Sequence, residues 1–326
     1  MNPRGKMTRL LILLTLPEPV RMRYFHRIRA AFPELDVTLV DHATKAEPLI
    51  GDVDILVTFG PMLIDRASAV FAAAKRLKWV QALGTGVDNI ADIATLAPKV
   101  IVTNLRGLHG PAVSEAAIAS MLALGRDLPR SVRAQDRHAW ERWPTRLLDG
   151  KCAGILGVGA IAETLAPRLK AFGMRVVGIS SGARDVAGFD RIYPRAELIE
   201  AVRSVDHFVL LTPYSPETHH IVDAAVLAAM KPSAYLVNLA RGGVVDEAAL
   251  IAALEGGKLA GAALDVFATE PLPPEHPFWA MKNVLITAHL GGFYDGYPDQ
   301  ALPIVEENIR RFLAGDLEGM VHRVAR

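Results

Sequence analysis

Two hydrophobic periods alternate along the chain. Short runs of consecutive apolar residues are separated by stretches in which apolar residues return every three or four positions. Unbroken apolar runs mark strands buried on both faces of a parallel sheet, and the helical spacing supplies the helices that cover it. Five such runs fall in the first third: LLILLTL (10–16), VTLV (37–40), DILVTF (54–59), WVQAL (79–83) and VIVTN (100–104). A helical stretch, IDRASAVFAAA (64–74), lies among them. The alternation resumes with CAGILG (152–157), RVVGIS (175–180), HFVLLT (207–212), AYLVNL (234–239), GAALDV (261–266) and NVLITA (283–288). Between the two sets the pattern predicts one long helix from about Pro111 to Ala139, able to join two domains, then an exposed arm at 141–151. A last helix over 301–316 places Ile304, Val305, Ile309, Phe312 and Leu313 on one side and stops at Gly315. The expected architecture is α/β, with two doubly wound parallel-sheet domains.

Composition narrows this picture. A length of 326 residues fits two domains, and 51% hydrophobic with 22% charged residues is enough for large cores. A net charge of +1 without a long basic run argues against nucleic acid as the main partner. A single cysteine, Cys152, excludes an intramolecular disulfide and fits a reducing compartment. Arg4, Lys6 and Arg9 before LLILLTL imitate a signal peptide, but the run is short and no small-residue cleavage site follows. It reads as a buried first strand. No stretch approaches the ~18 apolar residues of a membrane span, so a cytoplasmic protein without membrane contact is expected.

The segment GILGVGAIA (154–162) carries the first candidate chemistry. Gly157 and Gly159 follow a predicted strand and open a helical stretch, Ile161, Leu165, Leu169 and Phe172, which Gly173 closes before the strand RVVGIS. In such a strand–turn–helix unit Gly157 allows the tight turn. Gly159, with Val158, Ala160 and Ile161 around it, lets a pyrophosphate approach the backbone at a helix N-terminus. Ala162 replaces a third glycine where only a small side chain is needed. Pro167 inside this helix should kink it. Where the second strand ends, a site for NAD usually shows a carboxylate for the ribose hydroxyls. This chain has Ser180, Ser181 and, shortly after, Arg184. Hydroxyls and a guanidinium suit a 2′-phosphate, so NADP is expected ahead of NAD.

The chain resembles the D-isomer-specific 2-hydroxyacid dehydrogenase family over essentially its full length. The resemblance rests on LGTGVDNI (83–90), the glycine turn, LTPYSPETHHIV (211–222), MKPSAYLVNLARGGVVDEAAL (230–250), GAALDVFATEPLP (261–273) and NVLITAHLGG (283–292). It implies a catalytic set of Arg241, Glu270 and His289. Arg241 follows a strand and has the fork that grips a carboxylate and polarises an adjacent carbonyl. His289 also ends a strand and titrates in the range that suits a proton donor to a reduced carbonyl. Glu270 as its partner would favour the imidazolium and fix its orientation. The resemblance further assigns Gly84, Thr85 and Gly86 to the substrate carboxylate, and Asp265 to the nicotinamide carboxamide. Thr212, Pro213, Ala240 and Gly291 are placed along the cofactor. His109, His138, His219 and His220 match no catalytic position.

The family's organisation is a Rossmann cofactor domain inserted in a flavodoxin-like substrate domain. Here that implies a cofactor domain at 106–289 and a discontinuous substrate domain at 1–105 and 290–326, with substrate and cofactor in a cleft that closes by a hinge. No appended regulatory domain is expected. The implied activity is reduction of a small 2-keto acid, glyoxylate or hydroxypyruvate foremost, to the D-2-hydroxy acid. The rivals are an NAD-dependent 2-hydroxyacid oxidiser and a dinucleotide-sensing binding protein of the corepressor type. The long helix and the Trp140–Trp143 arm point to a homodimer. The aromatic segment around Phe293, Tyr294 and Tyr297 is read either as part of the substrate pocket or as packing.

Overall fold

A computed structural model describes residues 7–182 and 185–325. Arg184, the cation expected near the 2′-phosphate, lies outside the described residues. The chain divides into two compact units, Met1–Leu108 with Asp295–Arg326, and His109–Tyr294. The change-overs lie a few residues beyond those that the family resemblance implied.

The first unit holds strands β1 (Thr8–Leu13), β2 (Leu35–Val40), β3 (Ile55–Thr58), β4 (Trp79–Ala82) and β5 (Ile101–Thr103). They form one parallel sheet in the order β2-β1-β3-β4-β5, the flavodoxin-like order. The central strands β3 and β4 are buried throughout, as unbroken apolar runs require. Trp79 is fully buried and donates through Nε1 to Thr103 Oγ1 at 2.8 Å. The last helix, Tyr297–Ala314, belongs to this unit and begins four residues earlier than the apolar spacing indicated. Pro298 is tolerated there because its missing N–H falls in the first turn. Tyr297 is buried, and its hydroxyl donates to the Leu83 carbonyl. That contact makes Tyr297 a packing residue of the first unit.

The second unit holds β6 (Cys152–Leu156), β7 (Arg175–Ser180), β8 (Arg191–Pro194), β9 (His207–Leu210), β10 (Tyr235–Asn238), β11 (Gly261–Leu264) and β12 (Val284–Ile286). All pairs are parallel, in the order β12-β11-β10-β9-β6-β7-β8. The order reverses between β6 and β9, which is the Rossmann switch point. β8 was not among the expected strands. It is a four-residue edge strand, RIYP, with no apolar run and a terminal proline, a sequence that only an edge accepts.

The long helix from Pro111 to Ala139 is corrected to two, Gly110–Arg126 and Leu128–Asp136. Asp127 between them is left-handed, with φ 51° and ψ 48°. Pro129 excludes helical geometry from the residue before it only weakly, but Asp is among the few residues that enter the left-handed region readily. Both helices lie in the second unit, so neither joins the two units. Among the described residues no helix is long and apolar enough to cross a membrane.

Candidate active site

In the second unit, six of the seven parallel strands end at residues singled out by the sequence. Parallel strands expose their carboxyl ends on one edge, so residues that follow them are gathered there whatever their separation in the chain. Gly157–Ile161 follow β6, Ser180 closes β7 with Ser181 after it, and Thr212–Pro213 follow β9. Ala240 and Arg241 follow β10, Asp265 and Glu270 follow β11, and His289 and Gly291 follow β12.

The switch point is crowded on one side and open on the other. Gly157 has φ +97°, and a Cβ there would stand 2.6 Å from the Thr212 amide nitrogen, so no other residue fits without displacing the backbone after β9. At Gly159 a Cβ would meet nothing within 4 Å. Gly159 precedes helix Ala160–Ala171, which no side chain caps. Amide groups at a helix start beside open space form a cradle for a pyrophosphate. Ala162 is fully buried in the core between this helix and the sheet, which accounts for its small size. The helix runs continuously through Pro167, and nothing in the structure explains that proline.

Ser180 pairs with Pro194, so Arg195 stands at the carboxyl end of β8, next to the strand end expected to meet the ribose. Sequence reasoning missed Arg195 because it missed β8. Its positive charge reaches as far as Glu217, whose carboxyl is lowered mainly by the Ser215 hydroxyl and partly by Arg195.

The residues expected to carry the chemistry follow β10–β12. Gly242 allows the loop after β10 to lie against the loop after β11, since a Cβ there would overlap the Phe267 carbonyl. This contact sets Arg241 near Glu270. Asn238 braces the arginine from both sides: its Oδ1 accepts the Ala240 N–H at 3.0 Å and its amide donates to the Arg241 carbonyl at 3.1 Å. Glu270 Oε1 accepts the Phe267 N–H at 3.0 Å, and Oε2 stands 2.8 Å from His289 Nδ1. Burial pushes the Glu270 carboxyl up, but the bond and charge of His289, the Phe267 N–H and the Arg241 charge together hold it below the usual carboxylate range. An ionised Glu270 can only accept, which assigns the shared proton to Nδ1 and directs Nε2 away from the pair. His289 itself has φ +54°, a left-handed conformation that a histidine holds only under constraint.

Asp265 supplies that constraint. Its carbonyl accepts the His289 N–H at 2.8 Å. Its side chain is 3% exposed, Oδ1 accepts from Thr287 Oγ1 at 2.5 Å and Leu290 N at 2.8 Å, and Oδ2 accepts from Gly291 N at 2.9 Å. Two donors fill the lone pairs of Oδ1 and one occupies Oδ2, which leaves one acceptor position for a ligand. Clamping the turn around His289 is a role of Asp265 that the sequence did not reveal.

In the first unit, Gly84, Thr85 and Gly86 lie in the bend after β4. The Gly84 carbonyl accepts the Leu105 N–H at 3.0 Å and the Thr85 carbonyl accepts Asn104 Nδ2 at 2.8 Å. Their carbonyls are thereby held by the segment after β5. The arm at 141–151 is pinned at its start by Glu141, which pairs with Arg137 at 2.8 Å and Arg130 at 3.3 Å, while the Arg130 guanidinium lies 4.2 Å over the Trp143 ring. Beneath it a cavity of about 680 Å³ opens at the amino ends of β10–β12, opposite the ligand edge.

Comparison with known proteins gives a consistent picture. Residues 118–291 match the family model described as D-isomer specific 2-hydroxyacid dehydrogenase, NAD binding domain. The chain is 34% identical to the D-3-phosphoglycerate dehydrogenase of Methanocaldococcus jannaschii over 287 residues, 86% of this chain and 54% of that relative. It thus spans about half the length of the first curated relatives it matches. It is 34% identical to the glyoxylate reductase of Thermococcus onnurineus over 297 residues, 87% of this chain and 88% of that one. Its fold superposes on the NADPH-dependent glyoxylate/hydroxypyruvate reductase of Sinorhizobium meliloti, solved with NADP and sulfate. The TM-score is 0.81 and the identity 28%, with 97% of this chain and 98% of that one covered.

Proposed function

The chain belongs to the D-isomer specific 2-hydroxyacid dehydrogenase family, and on that premise we propose that it reduces a small 2-keto acid of the glyoxylate or hydroxypyruvate type to the D-2-hydroxy acid, with NADPH. The observation that carries this reading is the His289–Glu270 pair at 2.8 Å, with Arg241 on the neighbouring loop. The bound nicotinamide cofactor supplies the hydride for C2. Arg241 pairs with the substrate carboxylate and draws electron density from the C2 carbonyl. His289, protonated at both nitrogens, gives the Nε2 proton to the carbonyl oxygen, while Nδ1–H stays on Glu270. Glu270 stabilises the imidazolium before transfer and fixes the ring throughout. Backbone N–H groups of Thr85 and Gly86 are the first unit's own candidates for binding a carboxylate.

The cofactor is held at Gly157–Ile161, with Thr212, Pro213 and Ala240 along it and the free acceptor position of Asp265 for its carboxamide. The open space at Gly159 supports a pyrophosphate there. The absence of a carboxylate at Ser180 and Ser181, with Arg195 on the adjacent strand end, supports NADP over NAD. Trp140, 94% exposed on a pinned arm, supports a homodimer built through that arm, which light scattering on the purified protein would test. Initial rates with glyoxylate and hydroxypyruvate, each with NADPH and NADH, test the assignment itself. Rates with NADH equal to those with NADPH would overturn the cofactor preference. Absence of turnover with every 2-keto acid would overturn the enzymatic reading.

A further inference from the structure

Glu247 has no part in the chemistry described so far, yet the fold sets it against the loop that carries Glu270. It is the first residue of helix Glu247–Glu255. That helix start is anchored independently: the Asp246 side chain accepts the Ala249 N–H at 3.0 Å, and the Asp246 N–H donates to the Val222 carbonyl at 3.0 Å. From this fixed position Glu247 Oε1 accepts the Ala268 N–H at 2.8 Å, and Oε2 stands 3.6 Å from His276 Nε2. The His276 ring is oriented for that contact, because its Nδ1 accepts the Phe278 N–H at 3.4 Å, which puts its own N–H at Nε2. The peptide group between Phe267 and Ala268 is therefore clamped on both sides. Its N–H is taken by Glu247, and its carbonyl lies so close to Gly242 that a Cβ there would overlap it. The preceding peptide gives its N–H, that of Phe267, to Glu270 Oε1 at 3.0 Å. These two peptides flank the Phe267 Cα, so a rotation of the later one carries Ala268, Thr269 and Glu270 with it. Phe267 is buried, but Ala268 and Thr269 are exposed, so packing does little to hold the stretch before Glu270. His289 is fixed separately, through the Asp265 carbonyl. The Glu270–His289 contact at 2.8 Å thus depends on a loop whose setting is decided at Glu247.

We propose that Glu247 is a positioning residue for the proton transfer: by accepting the Ala268 N–H it holds the 267–268 peptide, and through it the Glu270 carboxylate, in place against His289 Nδ1. This rests on the reading of Glu270 and His289 above and deepens it. The role requires reach and not charge, since a neutral carbonyl oxygen at the same distance accepts the same N–H. Gln keeps that oxygen. Asp keeps the charge and its favourable interaction with the helix start, but is one methylene too short to reach Ala268.

The test measures NADPH-dependent reduction of glyoxylate and hydroxypyruvate by the wild type, E247Q, E247D, E270Q and the double variant E247D/E270Q. E247D is expected to lose about tenfold in kcat, with the KM for NADPH within about twofold of the wild type. E247Q should stay within about threefold of the wild-type kcat. Because Glu247 acts through Glu270, adding E247D to E270Q should cost less than about threefold further. Should E247D fail to fold, judged by its melting curve, E247N and E247Q carry the comparison, being alike in charge and different in reach. E247D at the wild-type kcat, E247Q slower than E247D, a loss confined to the KM for NADPH, or losses that multiply in the double variant would each overturn the inference and leave the keto-acid reading intact. A wild type that reduces no 2-keto acid, or an E270Q enzyme at the wild-type rate, defeats the underlying reading and this inference with it.

Discussion

Replacing Glu270 with Gln removes one charge and one acceptor while keeping the side chain's shape. The Gln carbonyl can keep the Phe267 N–H that Oε1 accepts at 3.0 Å, which turns its NH2 toward His289 Nδ1. That nitrogen must then accept, so the ring carries its proton on Nε2 and remains neutral; a protonated ring would set N–H against NH2. The loss is set by the attraction between carboxylate and imidazolium. Charges about 4 Å apart at an effective dielectric of 20 attract by about 4 kcal/mol. The two side chains are 34% and 22% exposed, and water screens roughly half of that, leaving about 2 kcal/mol. This corresponds to roughly a 30-fold fall in kcat/KM for keto-acid reduction at neutral pH. On the acid side the wild-type pair persists, because Glu270 lies below the usual carboxylate range and is lost only as pH falls through that lowered value. NADPH absorbance assays in a series of buffers read the rate and the acid limb. An E270Q enzyme with the wild-type rate would refute the view that this carboxylate supports the imidazolium.

Other expectations concern the cofactor turn, the ribose end and acid stability. Gly157→Ala should cost more than about 3 kcal/mol, from its positive φ and the clash with Thr212, and lower the melting temperature sharply. Gly159→Ala should barely shift the melting curve yet weaken NADPH binding about tenfold or more, as read by NADPH fluorescence titration; unchanged affinity would remove the pyrophosphate from that space. Ser180→Asp should lower the NADPH-to-NADH ratio of kcat/KM by at least about tenfold, and Arg195→Glu should act in the same direction. If neither variant moves the ratio, the 2′-phosphate is not read at this strand end. His207 is 3% exposed, and its Nδ1 has no hydrogen-bond partner. Burial foremost pushes it from 6.5 down to about 4. The unfolded chain therefore takes up a proton that the fold refuses between those values, and stability falls by about 3 kcal/mol as pH drops across that window. His207→Phe should flatten that slope in urea titrations, and an equally steep slope in the variant would place the loss elsewhere.

The contrast between β8 and the other strands of its sheet shows what the sequence could and could not reveal. A strand buried on both faces has to be apolar without interruption, so CAGIL, HFVL and YLVN announce themselves. An edge strand has no such requirement. RIYP pairs with its neighbour β7 through its backbone and packs only Tyr193 against the core, leaving no periodicity to find. Missing it hid Arg195, because a residue's place on the ligand edge follows from the strand it ends. The break at Asp127 was hidden for a related reason: apolar spacing persists on both sides of a single left-handed residue, and only the neighbouring Pro129 hints at it.

Roles at the site divide along the same line. Arg241, Glu270 and His289 could be named because each sits in a motif, and the carboxyl-end rule for parallel strands explains why distant motifs gather on one edge. Glu247 sits in one of those motifs without a role of its own. Its relation to Glu270 exists only because the helix start after β10 and the loop after β11 meet in three dimensions. The resemblance assigned Asp265 to a ligand contact and gave no hint of a clamp, since its three donors come from backbone and side-chain groups 22 to 26 residues further on. That clamp bears directly on the chemistry. A histidine held at φ +54° returns to ordinary backbone geometry once its restraint is gone, at a gain of roughly 1–2 kcal/mol to the relaxed form. Removing the Asp265 carboxylate should therefore misdirect the His289 ring even with Glu270 intact. Asp265→Asn, which retains volume but turns an NH2 toward either Leu290 N–H or Gly291 N–H, is expected to reduce kcat at saturating NADPH as well as weaken the cofactor. A variant that raises only the KM for NADPH, with kcat unchanged, would show that Asp265 serves the ligand alone.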